Sequence, residues 1–430
     1  MALSSALQHL QQQLLAVSRR QTGFLHLTAS IAGEVDGLQW LASQTLWPQF
    51  YWQQREGEPQ LMAIGEVRRA ETLPEAEVLL QQLPEEACLV GANAFALDKS
   101  WLFLPRLLWR GNTLSIFLWG GLQDEARKAL DLLAQLRPVA ALPALPQHLT
   151  HCQHYPDKPG WARQVEAALQ SIDQGGLEKV VLARATDLRF RQALSAVSLL
   201  AASRKVNHRC YHFLLAFSAE QAFLGSSPER LYHRHALALS SEALAGTCAN
   251  ADSPQQARKM AEALLNDGKN LHENALVVED ICQRLQAVTS ELDVAPVSIL
   301  ALRKVQHLRR TIAARLHQPH DIPLLQRLQP TAAVAGLPRG PALKFIEQHD
   351  VFSREWYAGS VGWLSASESE FTVALRSALV SGNSMRLYAG AGIVSGSEAS
   401  LEWQEINQKA SGLASLLAVE IANGSCPKSS

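Results

Sequence analysis

The chain has 430 residues, 47% of them hydrophobic and 18% charged, a composition outside the disordered and collagen-like ranges and sufficient for one large domain or two to three ordinary ones. Lysine and arginine number 39 against 40 acidic residues, for a formal net charge of −1. That balance gives no electrostatic footprint for nucleic acid or an anionic membrane, so a small-molecule substrate is expected.

Six cysteines without a CxxC pair fit a reducing, cytoplasmic setting and predict free thiols. The opening MALSSALQHLQQQLLAVSRR interleaves glutamine with its apolar residues and reads as an amphipathic helix, not a targeting segment. No stretch approaches the ~20 apolar residues of a membrane span. FYWQQR, then Glu56-Gly57-Glu58-Pro59, then LMAIGEV read as two strands around a turn, with Tyr51 and Trp52 as packing residues. Prolines at 138, 143, 146, 156 and 159 break helix and strand continuity and mark an internal boundary. Residues 1–150 are expected to form an N-terminal α+β region completing the sheet scaffold, and 151–430 the region that carries the site. His148, His151, Cys152 and His154 lie in the proline-rich stretch, which reads as a loop. Their crowded spacing disfavours zinc, whose structural sites pair two separated ligand couples.

Trp161, Val165, Leu169 and Ile172 recur at helical spacing before Gly175-Gly176 stops the helix. The strand Glu178 to Leu188 follows, with a continuous apolar centre that implies burial on both faces. Lys179 at its mouth is anomalous: it either snorkels to water or has its pKa lowered by desolvation, and only the second makes it a base. Glu229, in SSPER, falls in a turn, where functional groups often sit, although a proline-adjacent glutamate equally fits a helix start. Asp267-Gly268-Lys269-Asn270 lacks the glycine and hydroxyl of a phosphate loop. Glu273 is placed at the start of a helix striped by Val277, Ile281 and Leu285. Glu402 and Glu405 open the last helix, striped by Glu402, Ile406, Ala410, Leu413 and Leu417. Carboxylates bordering buried stripes need a partner, either a salt bridge or Mg²⁺, which takes one or two carboxylates with waters and an anionic substrate.

Arg303, Lys304, His307, Arg309 and Arg310 read as a solvated face or the lining of an anion site. FTVALRSALV and SMRLYAGAGIV around Ser381-Gly382-Asn383 predict a hairpin. Gly390-Ala391-Gly392 misses the dinucleotide fingerprint, because Ser395 stands where a glycine is required. What remains is a glycine pair leaving a strand, either a relieved bend or a backbone that approaches a ligand carboxylate.

LEKVVLAR (177–184), GSSPERL (225–231), EALAGT (242–247), HENALVVEDI (272–281), QPTAAVAGLPR (329–339), REWYAGSVG (354–362), LYAGAGIV (387–394) and EWQEINQKA (402–410) form an ordered series. Over roughly residues 160 to 422 it resembles the chorismate-utilising enzymes related to anthranilate synthase component I. Within them it is most similar to the branch that makes isochorismate for menaquinone biosynthesis, which WPQFYWQQR also resembles. The resemblance implies an α+β protein of the anthranilate-synthase/aminodeoxychorismate-synthase-like fold, with orthogonally packed β-sheets flanked by helices and a chorismate-binding catalytic region over 151–430. It implies a Mg²⁺-dependent, reversible isomerisation in which water adds at ring C2 while the C4 hydroxyl departs.

By motif match Lys179 would be the base and Glu229 the acid. Glu273 and Glu405 would hold Mg²⁺, with Glu402 supporting them from outside or through a water. His307, Ala333, Arg376, Tyr388, Gly390, Gly392 and Lys409 would surround the substrate. A lysine base must be neutral and a glutamic acid protonated near pH 7, and a dry pocket favours both. Ala245 stands where aminodeoxychorismate synthases carry a nucleophilic lysine, residues 332–339 replace the anthranilate-synthase segment, and no LLES-type tryptophan-inhibition motif is found. Water is therefore the expected nucleophile, and no glutamine amidotransferase partner is expected. A salicylate synthase, or a catalytically silent chorismate-binding subunit, are the alternatives.

Overall fold

The computed structural model describes residues 3–17, 22–32, 35–57 and 60–419. Among them eleven α-helices accompany twenty strands joined in one hydrogen-bonded network. The expected amphipathic helix runs Leu3–Leu15 and buries Ala6, Leu10 and Leu14, four residues apart. Strands Gln49–Gln53 and Gln60–Ala70 pair antiparallel with Tyr51 opposite Met62, and Tyr51 and Trp52 are buried as packing residues. Glu58 and Pro59 of the expected turn lie outside the described residues.

Strand Ser100–Arg110 is the hub of the network. Along one edge it pairs with Gln60–Ala70, and that arm continues through Gln49–Gln53, Tyr211–Ala216, Gln221–Ser227, Ser377–Ser381 and Ser384–Ile393 to Lys179–Phe190. Along the other edge it pairs with Cys88–Asn93. The second arm then runs through Ser360–Ser365, Glu368–Val373, Arg230–His235 and Ala238–Ala249 to Val305–Leu316. Two short connections carry the chain directly between arms, residues 228–229 and 374–376. The first crossover carries Glu229 and the second Arg376.

The second crossover corrects the expected hairpin. FTVALRSALV is not one strand but the end of Glu368–Val373 and the first four residues of Ser377–Ser381, which belong to different arms. Arg376 between them has φ +48°, a left-handed conformation costly for a side-chain-bearing residue, of the kind that concentrates at functional sites. The remaining two-residue turn holds Gly382 at φ +59° between the paired Ser381 and Ser384, as tight hairpins require.

Lys179–Phe190 is buried over its first eight residues, as expected. Its burial comes from helices Lys158–Asp173 and Arg339–His349 packing against it rather than from a parallel sheet, since its pairings are antiparallel. Residues 149–155, expected as loop, form strand Leu149–Tyr155 on its edge. The prolines bracket this strand and leave its ladder donors intact. His154 Nδ1 meets Thr186 Oγ1 at 3.0 Å, and no metal-holding group of three His, Cys, Asp or Glu forms among the described residues.

Free thiols stand at Cys88, Cys210, Cys248 and Cys282, but Cys152 is disulfide-bonded, which corrects the expectation there. Cys152 is only half-buried on an edge strand, open to a second thiol in a way that spacing does not reveal. Cys426 lies outside the described residues. No helix among them is long and apolar enough to cross a membrane.

Candidate active site

Both crossovers open on one cavity between the arms. Glu229, Glu273, His307, Ala333, Arg376, Tyr388, Gly390, Gly392, Glu405 and Lys409 line it, together with Ala245. Lys179 stands just behind this wall.

Lys179 begins its strand with Leu337 as register partner and is fully buried. It does not snorkel. Its Nζ lies 2.9 Å from Glu273 Oε1, and beyond that ion pair the ammonium has no hydrogen-bond partner among the described residues. Glu273 sits on helix Gly268–Leu285, whose N-terminus Asp267 caps by accepting from Asn270 N at 2.8 Å. This corrects its expected position, since it lies in the second turn rather than at the start. The correction matters because the second turn faces the strand that carries Lys179, while Val277, Ile281 and Leu285 are buried one, two and three turns further on. Burial works against the Glu273 carboxylate, but Lys179 foremost, then Lys409 and Lys269, hold its pKa below the usual range.

Glu229 is 2% exposed. Burial, then the neighbouring Glu242, pushes its pKa up to about 8 against the opposing pull of Lys179, Lys409 and Arg376. Its backbone is fixed: the N–H donates to Ser227 Oγ at 3.3 Å, and the carbonyl accepts from Val373 N at 3.1 Å and from Thr372 Oγ1. A carboxyl neutral at pH 7 can donate a proton.

Helix Ala399–Ala414 buries Glu402, Ile406, Ala410 and Leu413, with Leu417 in the 3₁₀ turn that follows. Glu405 pairs with Lys409 at 2.6 Å, and Lys409 Nζ donates to Gly390 O at 3.0 Å. Glu402 turns away from the cavity to Lys269 at 2.9 Å. Burial and the neighbouring Glu405 raise its pKa.

Gly390 and Gly392 lie inside strand Ser384–Ile393, opposite Ala183 and Val181, and not beyond its end as expected. Their lack of side chains is a matter of space. A Cβ at 392 would run into Glu273 Oε1 and stand 2.8 Å from Lys179 Cε; one at 390 would stand 2.7 Å from the Tyr357 hydroxyl. Tyr357 stacks on Tyr388 with ring centroids 5.0 Å apart. Burial raises the pKa of both phenols, that of Tyr357 to about 12, so both remain hydrogen-bond donors.

The basic cluster divides. Arg303 and Lys304 are exposed, Arg309 and Arg310 half-buried, and His307 buried. Arg376 Nη2 reaches His307 Nε2 at 3.0 Å, and Thr247 Oγ1 lies 3.0 Å from Nδ1. A guanidinium only donates, so Nε2 is the acceptor and the ring proton is on Nδ1. Burial first, then Arg376 and Lys409, lower the pKa of His307 far below its ordinary value, leaving a neutral ring that aims Arg376. Sequence reasoning gave no role to Tyr357 or Thr247, although both stand in the quoted motifs REWYAGSVG and EALAGT.

The chorismate binding enzyme family model matches residues 119–418. Over 427 residues the chain is 50% identical to isochorismate synthase MenF of Escherichia coli strain K12, covering 97% of this chain and 99% of that protein. The solved structure of the menaquinone-specific isochorismate synthase MenF from Escherichia coli matches with a TM-score of 0.92 over 97% of this chain and 100% of that one. Anthranilate synthase component I from Streptococcus pneumoniae has the same fold, with a TM-score of 0.66 at 18% identity over 92% of this chain and 93% of that one.

Proposed function

The chain belongs to the chorismate-binding enzymes, and from that membership and its site we infer that it is an isochorismate synthase of menaquinone biosynthesis, an isomerase acting on chorismate. The observation that carries the chemistry is a buried carboxyl, Glu229, at the edge of a cavity backed by a buried lysine, with burial pushing its pKa up to about 8. Isomerisation needs one base to take a proton from water as it adds at C2 and one acid to protonate the C4 hydroxyl as it leaves. Lys179 is the base of this reading and Glu229 the acid. One water enters and one departs, so no amidotransferase subunit is required.

Chorismate carries two carboxylates, and the cavity offers them the planar fork of Arg376, the ammonium of Lys409, the Tyr388 hydroxyl and the open backbone at Gly390 and Gly392. Ala245 presents a methyl group to the same cavity, so no covalent attachment to substrate arises there. Residues 1–150 act as scaffold in this reading, supported by the hub strand Ser100–Arg110 to which both arms attach.

The donor set fits Mg²⁺. Glu273 and Glu405 face one cavity with carboxylate oxygens, and each is neutralised by one lysine; a third pair, Glu402 with Lys269, stands beside them. They form no closed three-ligand cage, and Mg²⁺ needs none, because it keeps waters and takes substrate oxygens beside one or two carboxylates. Glu273 and Glu405 would hold the ion, with Glu402 supporting them from outside the cavity, and the ion would supply positive charge against the substrate's ring carboxylate. Glu273→Gln should then raise the Mg²⁺ concentration needed for half-maximal turnover, and an unchanged metal titration would remove it from the ligand set.

Gly392→Ala, whose new methyl must displace Glu273 or Lys179, should cost at least about tenfold in turnover with the fold intact by circular dichroism; native turnover would show that the pair's position is not critical. Products identify the activity. With chorismate and Mg²⁺, proton NMR should find isochorismate, and EDTA should abolish it. Salicylate with pyruvate would mark a salicylate synthase, and unchanged chorismate with folded protein a silent binding subunit.

A further inference from the structure

Arg55 ends WPQFYWQQR, a segment whose resemblance the chemistry above leaves unused. It lies just past strand Gln49–Gln53, yet its side chain is only 7% exposed and forks onto the buried Glu242, with Nη1–Oε1 at 2.6 Å and Nη2–Oε2 at 2.8 Å. The same Nη1 donates to Pro228 O at 3.0 Å, and Glu242 Oε1 also accepts Arg230 N–H at 2.7 Å. Both chain neighbours of Glu229 are therefore tied to one ion pair.

We propose that Arg55, acting through Glu242, is a positioning residue for Glu229, fixing the crossover turn that aims its carboxyl at the substrate and neutralising the carboxylate beside it. This rests on Glu229 being the acid. A guanidinium suits the task because its planar fork fixes orientation as well as charge, which the point charge of lysine does not.

The electrostatic surroundings make the proposal testable by sign. Glu229 is faced by Glu242 from strand Ala238–Ala249, Lys179 from strand Lys179–Phe190, Lys409 from the last helix and Arg376 from the second crossover. His307, Glu273 and Glu405 line the same cavity. Glu242 favours the protonated form of Glu229, while Lys179, Lys409 and Arg376 oppose it. Removing Arg55 leaves Glu242 uncompensated, so Glu229 holds its proton to higher pH. Removing the Glu242 charge leaves Arg55 uncompensated and does the reverse.

The experiment is the pH dependence of chorismate turnover for the full chain and for Arg55→Gln, Glu242→Gln, Arg55→Lys and Glu229→Gln. The alkaline limb should move up by about one pH unit in Arg55→Gln and down by about one in Glu242→Gln. Arg55→Lys keeps a charge but loses the fork, so its limb should stay while kcat falls about tenfold or more with KM little changed. A merely structural tie would lower stability without splitting the limbs in opposite directions. Limbs that stay put or move together in folded Arg55→Gln and Glu242→Gln, or a native kcat in Arg55→Lys, would overturn the proposal. Should Arg55→Gln fail to fold, Glu242→Gln and Arg55→Lys still decide it. If Glu229→Gln keeps native turnover, the acid assignment itself falls and this inference with it; if Glu229→Gln is inactive and the limbs fail to split, only the role of Arg55 is lost.

Discussion

Lys179→Ala and Lys179→Arg should both lose at least about 10²-fold in chorismate turnover, the usual worth of a positioned base. The two variants separate two explanations. Alanine removes the base and also strips Glu273 of its 2.9 Å partner, and leaving a buried charge unpaired costs about 3–5 kcal/mol. A lower melting temperature is therefore expected for alanine. Arginine keeps a cation beside Glu273 but never loses its proton near neutral pH, so it should hold stability near the native level and remain inactive. Turnover measured beside thermal unfolding checks both. An active arginine variant would mean that Lys179 serves only as a counter-ion, and water would need another base.

Glu229→Gln should lose a comparable factor while still binding chorismate, since glutamine keeps the shape and hydrogen-bonding of the neutral carboxyl but has no proton to give. The pH profile carries the sharper signature. An acid works in its protonated form, so turnover should fall as pH rises through the Glu229 value of about 8, and the glutamine variant's residual rate should lack that limb. A carboxyl at its ordinary pKa near 4.3 would already be ionised at neutral pH and would give no such limb. A native-like limb retained in Glu229→Gln would assign it to another group.

Family residues scattered from 229 to 409 line one cavity, with Lys179 behind its wall, and the stripe of the last helix fell where its periodicity put it. Other features are products of tertiary contact. No periodicity in FTVALRSALV announces that residues 374–376 leave one arm for the other; the break shows only where Arg376 adopts φ +48°. Gly390 and Gly392 read from sequence as either a relieved bend or a backbone open to a ligand carboxylate; the space they leave for Tyr357, Glu273 and Lys179 comes from other elements. The place of Glu229 in a turn does not by itself announce its burial. Its burial is set by Thr372 and Val373, and by Arg55 through Pro228, residues distant in sequence that no local pattern connects.

The most direct test of water addition is to run the reaction in oxygen-18 water and follow early product by mass spectrometry. Attack by solvent water at C2 predicts that the first isochorismate formed carries one oxygen-18 atom, with the label at the new hydroxyl. Unlabelled isochorismate would contradict the mechanism, because the C4 hydroxyl would then have moved across the ring without exchange and neither Lys179 nor Glu229 would have the task assigned to it.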